Sequence, residues 1–581
     1  MLSAVLSGCS GDNATDSSTN SPPPDKVTAK ESPRFEFTMP ERREAENSQV
    51  AELQFPFFTV ANEDVDLQLT YSNGTSARQL MVESTGTGIG WLDFDLDDRM
   101  DIYFPQGGEP DASEASSRPP NQLLRQLPSG NFSNIASLSG VLDHGYGQGV
   151  SVADLDNDGF PDLLVTNVGR NQVFHNNGDG TYSSVRDQYG FTESVWSTAS
   201  AWGDLNRDGN ADVYICNYAQ YDPYHPIPCV DESGAPTICH PRNVSAEPDH
   251  YYQNTGASGF KRKDVELGIT GKKNRGLAVV VCDLDRDGWQ DFYVANDTTA
   301  NFLFLNRAGE RFDESAMGMG GAFNANGGAQ ASMGIGVADY DENGFLDLCL
   351  THFSGEYNTL YQNLGPSGLR DSTSLTGLRD PTLPKLAFGV LMQDFNADGS
   401  QDLIFANGHI DPIHPDGEGY EMTPQCLSFD GLRWQDGSKS SGSFFSQKAV
   451  ARGLAMADFD NDQDPDLLCV RQNGPTVLLR NESKSGRLIR IKLIGTSATR
   501  NAFGTKVTLT AGPRILYNEV ITGTGYASAH EHVLQFGLGT WEKKIECLVQ
   551  WPNGTETPLD IPDNCRELTL IEGRRPILNE S

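Results

Sequence analysis

The sequence has little positive charge and no long apolar run. It holds 43 lysine and arginine residues against 79 aspartate and glutamate residues, a net charge of −36. A chain this acidic does not hold nucleic acid or anionic lipid by its general surface, so no nucleic-acid partner is expected. No stretch approaches the roughly 18 consecutive apolar residues of a membrane-spanning helix. Membrane association would therefore need a lipid anchor.

Common catalytic motifs are also missing. The sequence has no Cys-x-x-Cys pair, which argues against zinc and thioredoxin-type chemistry, and no Gly-x-Ser-x-Gly, His-Glu-x-x-His or Walker motif. Two histidine groups remain as candidates for a catalytic or metal site. His409 and His414 follow a predicted strand, and His530-Glu531-His532 could hold a metal or form a polar turn. We assign no catalytic residue and no organic cofactor from the sequence.

What the sequence does contain is seven copies of one acidic nine-residue pattern, Asp-x-Asp/Asn-x-Asp/Asn-x-x-x-Asp. A repeat at intervals of about 50 to 80 residues indicates a supersecondary unit that stacks against its neighbours. We call the copies acidic loops 1 to 7. Their side chains at positions 1, 3, 5 and 9 are Asp93, Asp95, Asp97 and Asp101; Asp154, Asp156, Asp158 and Asp162; Asp204, Asn206, Asp208 and Asp212; Asp283, Asp285, Asp287 and Asp291; Asp339, Asp341, Asn343 and Asp347; Asp394, Asn396, Asp398 and Asp402; and Asp458, Asp460, Asp462 and Asp466.

The spacing of these oxygens predicts calcium binding. Calcium takes six to eight oxygen ligands in a loose cage, and alternate carboxylates on a tight loop supply them. In loop 2, Gly159 at position 6 permits a sharp turn, and Val165 stands where an EF-hand has its glutamate. The loop therefore closes early, on Asp162, and leads into a strand. We expect up to seven Ca²⁺ ions in hairpin-type loops, because the alternative of seven solvated acidic turns would crowd uncompensated carboxylates.

Loops 1 and 7 depart from the pattern. Asp98 and Gln463 replace the glycine at position 6. Each of them must adopt a left-handed backbone conformation there, at some cost. We expect these two sites to bind calcium more weakly than the others.

The segments that flank the loops predict an all-β fold. Apolar runs precede each loop, as in Val279–Cys282, and β-branched or aromatic runs follow it, as in Phe292–Val294. A third run often ends in asparagine, as at Asn176, and a fourth carries an aromatic residue. Four antiparallel strands repeated seven times indicate a seven-bladed β-propeller over residues 50–485. Glycine runs such as Gly86-x-Gly88-x-Gly90 and Gly145-x-Gly147-x-Gly149 precede strands, so we attribute them to close packing near the propeller axis.

The repeats resemble the FG-GAP or VCBS-type repeats of the integrin-α-like propeller superfamily. The segments VADLDNDGFPDLLVTN and HNNGDGTY carry the resemblance. It implies calcium in the loops, at the blade edge rather than in the central channel.

Residues 486–575 lack the calcium pattern and are predicted to form short strands of a small β-sandwich. The segments NAFGTKVTLTAG, EVITGTGYASAHEHVLQFGLG and CLVQWPNGTE resemble the ASPIC/UnbV domain, which follows FG-GAP propellers in other proteins. The resemblance identifies a family and implies no activity. The sequence leaves open whether this domain folds onto the propeller.

The amino terminus indicates export. Leu6-Ser7-Gly8-Cys9 has the form of a bacterial lipobox, with Cys9 as the lipidated residue, although residues 1–9 are short for a signal and carry no positive charge before the cysteine. Chance and a truncated lipoprotein signal both remain open, and we favour the latter. Residues 10–49 have the composition of a disordered tether. We expect a protein of the cell envelope, lipid-anchored or secreted.

Cysteine usage agrees with an oxidising compartment. Cys229 and Cys239 lie in a proline-rich insertion and are predicted to form a disulfide. Cys282, Cys349 and Cys469 lie on predicted strands and are expected to be small buried apolar residues.

Two functions fit these observations. The first is a surface binding or adhesion module for an extracellular protein or polysaccharide, with recognition by the long loops at 217–250 and 407–445. Trp196, Trp202, Tyr218, Tyr221 and Tyr224 lie in or near such regions, where they could stack on sugars or pack the blades. The second is a polysaccharide-active or redox enzyme with a site on one propeller face. The oligomeric state is not predicted.

Overall fold

The computed structural model describes residues 53–580, except residues 113–116, 228, 272–273, 414–416 and 484–485. The predicted signal, the tether and Cys9 lie outside the described residues. The chain from Leu53 onward forms one compact unit. It consists of a ring of four-stranded blades followed by a two-sheet sandwich.

Seven groups of four antiparallel strands form the blades of the predicted propeller, and the sheets of blades 2 and 3 are joined into one because residues 168–170 pair with residues 194–196. In chain order they are blade 1, β2 (Gly90–Leu92), β3 (Asp101–Phe104), β4 (Gln122–Gln126) and β5 (Phe132–Asn134); blade 2, β6 (Tyr146–Ala153), β7 (Asp162–Arg170), β8 (Gln172–Asn176) and β9 (Tyr182–Ser184); blade 3, β10 (Ser194–Gly203), β11 (Asp212–Asn217), β12 (His250–Asn254) and β13 (Phe260–Arg262); blade 4, β14 (Gly276–Cys282), β15 (Asp291–Asn296), β16 (Phe302–Arg307) and β17 (Arg311–Glu314); blade 5, β18 (Ile335–Ala338), β19 (Asp347–Leu350), β20 (Thr359–Asn363) and β21 (Leu369–Asp371); blade 6, β22 (Ala387–Gln393), β23 (Asp402–Asn407), β24 (Gln425–Phe429) and β25 (Trp434–Asp436); and blade 7, β26 (Ala451–Ala457), β27 (Asp466–Arg471) and β28 (Val477–Asn481).

The first strand of the chain completes the last blade. β1 (Phe58–Val60) pairs antiparallel with β28, so that Phe58 lies opposite Asn481. This pairing closes the ring and leaves blade 7 with the same four strands as the others.

Burial explains why the strands differ in composition. The strands nearest the axis are covered on both sides by neighbouring blades, and every residue of β14 is buried in its apolar run GLAVVVC. The outermost strands meet solvent, and β13 buries only Phe260 of its three residues. Between blades 3 and 4, aromatic rings fill the gap, with the Tyr214 and Phe292 centroids 4.8 Å apart.

Helices are short and lie in connections. The α-helices are α1 (Val82–Thr85), α2 (Ala136–Ser139), α3 (Ala316–Met319) and α4 (Arg379–Thr382), and the 3₁₀ turns are Pro241–Asn243, Gly256–Ser258, Gly365–Ser367 and Ser443–Ser446. No helix among the described residues is long and apolar enough to cross a bilayer.

The C-terminal sandwich consists of two four-stranded sheets. One has the order β32 (Val533–Gly537), β29 (Leu488–Ile494), β35 (Cys565–Ile571), β36 (Ile577–Glu580), and the other has the order β31 (Arg514–Glu519), β30 (Lys506–Ala511), β33 (Ile545–Gln550), β34 (Glu556–Ile561). The pairing of β29 with β35 is parallel, and the remaining pairs are antiparallel. The all-β prediction, a seven-bladed propeller followed by a small sandwich, is confirmed.

The sandwich folds onto the propeller and sends one segment into the central channel. We call residues 522–532, between β31 and β32, the hub. The hub meets blade 1 through Trp91 N–H to Ala529 O (3.1 Å) and blade 2 through Val150 N–H to Ala527 O (3.1 Å). It meets the other five blades through Thr522 with Trp202 of blade 3 and Val281 of blade 4, Gly525 with Ile335 of blade 5, Tyr526 with Phe388 of blade 6, and His530 with Met456 of blade 7.

Close approach to the hub explains the glycine runs. A Cβ atom at Gly88 would overlap the carbonyl oxygen of Ala527, and one at Gly149 would lie 2.7 Å from the Ala527 side chain. Gly523 in the hub has φ +91°, and a Cβ there would overlap Val279 O. These glycines therefore serve axial packing, as predicted for the runs that contain Gly88 and Gly149.

Candidate metal centres in the acidic loops

Each acidic loop connects the first and second strands of its blade. Loop 4, for example, joins β14 to β15, and loop 7 joins β26 to β27. Because the blades repeat the same antiparallel order, all seven loops lie at the same end of the propeller. We call this end the acidic-loop face. The C-terminal sandwich lies on this face, where Asn501 Oδ1 accepts the N–H of Asp154 (2.8 Å) and Arg514 donates to Gly399 O (2.5 Å).

The loops share one backbone form. Position 6 has positive φ in every copy, including Asp98 (60°) and Gln463 (79°), as predicted for loops 1 and 7. Position 4 is also left-handed in every copy, with φ between 54° and 61°. This second left-handed position was not predicted, because the residues at position 4 share no chemical type. They are Leu96, Asn157, Arg207, Arg286, Glu342, Ala397 and Asn461.

Backbone N–H groups fix the carboxylates. In loop 2, Asp154 accepts hydrogen bonds from Asp158 N (3.1 Å) and Gly159 N (2.7 Å). Asp162 at position 9 accepts from Leu155 N (2.8 Å) within the loop and from Asn176 N (2.7 Å) on the third strand. The loop therefore turns its acidic side chains inward, and Asp162 at position 9 connects the loop to the third strand of its blade.

The asparagines that end the third strands connect neighbouring blades. Asn176 Nδ2 donates to Phe94 O of loop 1 (2.8 Å), and Asn306 Nδ2 donates to Leu205 O of loop 3 (2.8 Å). Asn254, Asn363 and Asn481 make the same bond to loops 2, 4 and 6. Their recurrence was visible in the sequence, but their role was not, because the partner lies in the preceding blade.

The carboxylates are crowded. Among the described residues, ligand atoms of Asp458, Asp460, Asp462 and Asp466 all lie within 4.8 Å of one another, and so do those of Asp283, Asp285 and Asp291. Burial, with neighbouring carboxylates adding to it, raises the pKa of Asp101, Asp339 and Asp394 to about 8. These groups bear a full negative charge at neutral pH only if a cation compensates it.

Four carboxylate oxygens in the loops are buried without a hydrogen-bond partner. They belong to Asp95, Asp283, Asp341 and Asp394. Asp283 and Asp394 are only 1% and 2% exposed. Since an unsatisfied buried oxygen is costly, these atoms are suited to a ligand that the polypeptide does not provide. The donor sets of loops 4, 5 and 6 thus fit a hard cation, whereas in loop 1 Arg125 contacts the other oxygen of Asp95.

The other candidate residues are engaged in packing. His530 Nδ1 accepts the N–H of Met456 (3.1 Å) while its Nε2 contacts Thr524 O (3.1 Å), and Glu531 lies 2.8 Å from Arg490. His409 is buried, with its Nδ1 accepting the Asp411 N–H (3.0 Å). His414 lies outside the described residues. A cavity of about 90 Å³ remains beside the hub, well below the ~300–1,000 Å³ of typical small-molecule sites.

The aromatic candidates divide into packing and exposed groups. Trp196, Trp202 and Tyr218 are buried, and Trp202 Nε1 donates to Ser151 Oγ (2.8 Å). Tyr221 packs against Trp196, whereas Tyr224 is 52% exposed. Of the five, only Tyr224 thus presents most of its ring to solvent.

The predicted disulfide between Cys229 and Cys239 is present. Cys282, Cys349 and Cys469 are buried and form no disulfide among the described residues, as expected.

Comparison with known proteins agrees with these features. An FG-GAP-like repeat matches residues 108–165, 154–215 and 283–350, and the ASPIC and UnbV family matches residues 495–576, within the C-terminal sandwich. This chain contains FG-GAP-like repeats followed by an ASPIC and UnbV domain. It is homologous to human cartilage acidic protein 1, with 24% identity over 327 residues, 54% of this chain and 46% of the relative. The mouse protein of the same name is 23% identical over 322 residues.

This chain spans about half the length of the curated relatives it matches. Two solved structures show weaker likeness. An Agrocybe aegerita lectin that recognises non-reducing terminal N-acetylglucosamine has a TM-score of 0.36 and 14% identity over 68% of this chain and 95% of that one. The Dos1 propeller has a TM-score of 0.34 and 9% identity over 66% and 76%. Likeness at this level carries no argument about function.

Proposed function

We propose that this protein is an exported, calcium-stabilised binding module whose acidic loops hold Ca²⁺. The partnerless buried oxygens of Asp283 and Asp394 carry the calcium part of the proposal. When bound, calcium would compensate the carboxylates and fix each loop. The side chains at positions 1, 3, 5 and 9 would hold it, and the N–H bonds to positions 1 and 9 keep those carboxylates in place before the ion arrives.

Removal of calcium tests this part directly. A ligand that binds only the native state must stabilise it. We expect EDTA to lower the melting temperature of the full chain and millimolar Ca²⁺ to restore it, with Mg²⁺ at the same concentration as the control. A melting temperature that does not respond to the chelator would refute calcium binding.

Export is supported by two observations and by a consequence of the proposed calcium binding. The Cys229–Cys239 disulfide persists in an oxidising compartment. The homology to cartilage acidic protein 1 points to an extracellular protein. Calcium loops of modest affinity also need the calcium concentration found outside cells. We further propose that Cys9 carries a lipid anchor, which mass spectrometry of the native membrane fraction would detect.

We place the recognition surface on the face opposite to the acidic loops. The connections between second and third strands lie there. The longest runs from β11 to β12 in blade 3, and those from β3 to β4 in blade 1 and from β23 to β24 in blade 6 are next and equal in length. The blade 3 connection is closed by the disulfide and carries Tyr224, Ile227 and Val230, which are 52%, 49% and 61% exposed. Rigid blades that present long loops with exposed apolar side chains suit recognition of a protein or polysaccharide.

A glycan array probed with the full chain in calcium and in EDTA tests this surface. We expect calcium-dependent binding that is lost in a Tyr224→Ala/Ile227→Ser variant. Leu375→Ala is the matched control, because Leu375 is 64% exposed on the rim of blade 5. If no glycan on the array binds, a protein partner is favoured, and it would be sought by capture from the surface of the cells that produce this protein. Equal binding by the variant would refute the assignment of this face.

A further inference from the structure

Loops 1 and 7 differ from the other acidic loops because arginine side chains occupy them. In loop 1, Arg125 Nη2 lies 2.6 Å from Asp95 Oδ2 and 3.2 Å from Asp97 Oδ2. Arg99, at position 7 of the same loop, forms a second ion pair with Asp97 and donates from Nε to Gln126 O (3.2 Å). Two guanidinium groups thus contact the carboxylates at positions 3 and 5.

Loop 7 shows the same arrangement with different donors. Arg480 Nε lies 2.7 Å from Asp460 Oδ2, at position 3. Arg490 Nη1, from β29 of the C-terminal sandwich, lies 2.8 Å from Asp458 Oδ2, at position 1. Arg490 is buried and also contacts Glu531 (2.8 Å) and Glu567 (3.2 Å). The sandwich therefore places a permanently charged group in this loop.

The remaining loops lack such a pair of arginines. Among the described residues, no Lys or Arg side chain forms an ion pair with a carboxylate at position 1, 3, 5 or 9 of loops 3, 5 or 6. In loop 5, Arg514 Nη2 pairs instead with Glu342 at position 4 (2.7 Å). Loop 4 receives one close contact, Lys506 Nζ to Asp283 Oδ2 (2.5 Å), with Arg307 farther away at 3.7 Å from Asp285. Loop 2 receives only His175, 3.1 Å from Asp162.

The sequence sets the same two loops apart by an independent feature. Only loops 1 and 7 lack glycine at position 6, where they hold Asp98 and Gln463. Both loops thus lack the residue that eases the turn, and each is contacted by two guanidinium groups. Guanidinium is always charged and matches carboxylates with several N–H donors, and two such groups supply the charge of one divalent ion.

We propose that arginines take the place of calcium in loops 1 and 7, so that the protein holds at most five Ca²⁺ ions. A calcium ion entering loop 1 would have to displace Arg99 and Arg125 or lie against their positive charge. In loop 7 it would also have to break the Arg490 contact that joins the sandwich to the propeller. This inference rests on the proposed calcium binding in the other loops, and it makes loop 7 a docking point that does not depend on the metal.

Counting bound calcium tests the inference. Equilibrium dialysis of the full chain in millimolar calcium, followed by elemental analysis, should give five ions or fewer. The Arg99→Gln/Arg125→Gln variant should hold one ion more than the wild type. Arg311→Gln is the control, since Arg311 pairs with Asp313 outside the loops, and its count should equal that of the wild type.

A second pair of variants keeps the test decisive if the double variant does not fold. Asp93→Asn in loop 1 should leave the wild-type count unchanged, whereas Asp394→Asn in loop 6 should lower it by one. Six or seven ions in the wild type, an unchanged count in a folded double variant, or a loss with Asp93→Asn would overturn the inference while calcium binding stands. A count of zero in every variant would refute calcium binding itself, and the inference with it.

Discussion

The hub predicts that one hydroxyl in the C-terminal sandwich stabilises a blade more than 300 residues away in sequence. Thr522 Oγ1 accepts the N–H of Trp202 (2.8 Å) and donates to the carbonyl oxygen of the same residue (2.6 Å). Trp202 lies on β10, the axial strand of blade 3, and is 1% exposed. Thr522→Val keeps the shape of the side chain and leaves both backbone groups without this partner.

The magnitude follows from the two lost bonds. A buried polar group left without a partner costs about 1–3 kcal/mol, so the pair should cost about 3 kcal/mol in the free energy of unfolding. Thr522→Ser keeps the hydroxyl and removes one methyl group, which should cost about 1 kcal/mol. With an unfolding entropy of about 2.1 cal/mol/K per residue, 3 kcal/mol lowers the melting temperature of a chain this long by about 3 °C.

Urea unfolding of the full chain in calcium, followed by tryptophan fluorescence and circular dichroism, measures the difference. We expect Thr522→Val to unfold at lower urea than Thr522→Ser, and both probes to report one transition, since the hub contacts all seven blades. A Thr522→Val protein as stable as the wild type would refute the role of the hub. Separate transitions for propeller and sandwich would refute the cooperative coupling.

Three further predictions concern single groups. Burial lowers the pKa of His530 to about 4, below the unfolded value of about 6.5, so the unfolded state binds more protons between these two pH values. The stability present above pH 6.5 should therefore be lost as the pH falls towards 4, and the loss should be less steep in His530→Gln. Melting curves between pH 7 and 4.5 would show this difference, and identical slopes would disprove it. Asn306→Leu removes the hydrogen bonds to Leu205 O and Gln290 O and should lower the free energy of unfolding, measured with urea, by about 2–4 kcal/mol. The same change at the exposed Asn326 should lower it little, and equal effects would contradict the proposed link between blades 3 and 4. Trp289 occupies position 7 of loop 4, so Tb³⁺ bound in that loop should luminesce on tryptophan excitation and lose most of this signal in Trp289→Phe; an unchanged signal would place the bound ion elsewhere.

The sequence was informative wherever structure depends on short-range spacing. The acidic pattern and the runs on either side of it were sufficient to predict seven blades, because each repeat encodes its own hairpin. The left-handed conformations of Asp98 and Gln463 followed from their places in that pattern. The Cys229–Cys239 pair was equally local, since the two cysteines are 10 positions apart in sequence.

Features that join distant parts of the chain were not predictable. Nothing near Phe58 in sequence shows that β1 completes blade 7, beside Asn481. The role of the third-strand asparagines was hidden for the same reason, since their partners lie in the preceding blade. The left-handed conformation at position 4 of the loops was not predicted for a different reason. The residues there share no chemical type, so the backbone rather than the side chain selects the conformation.

The hub also decides which face of the propeller can meet a partner. The sandwich covers the acidic-loop face. Residues 522–532 occupy the channel and lie so close to Gly88 and Gly149 that neither position has room for a side chain. The carboxylates that calcium would compensate therefore lie next to sandwich residues such as Asn501 and Lys506. Calcium in these loops would stabilise the joint between the two domains rather than bridge to an external ligand. Under the proposed function, a partner would bind the opposite face or the rim, and the opposite face carries the long connections of blades 1, 3 and 6.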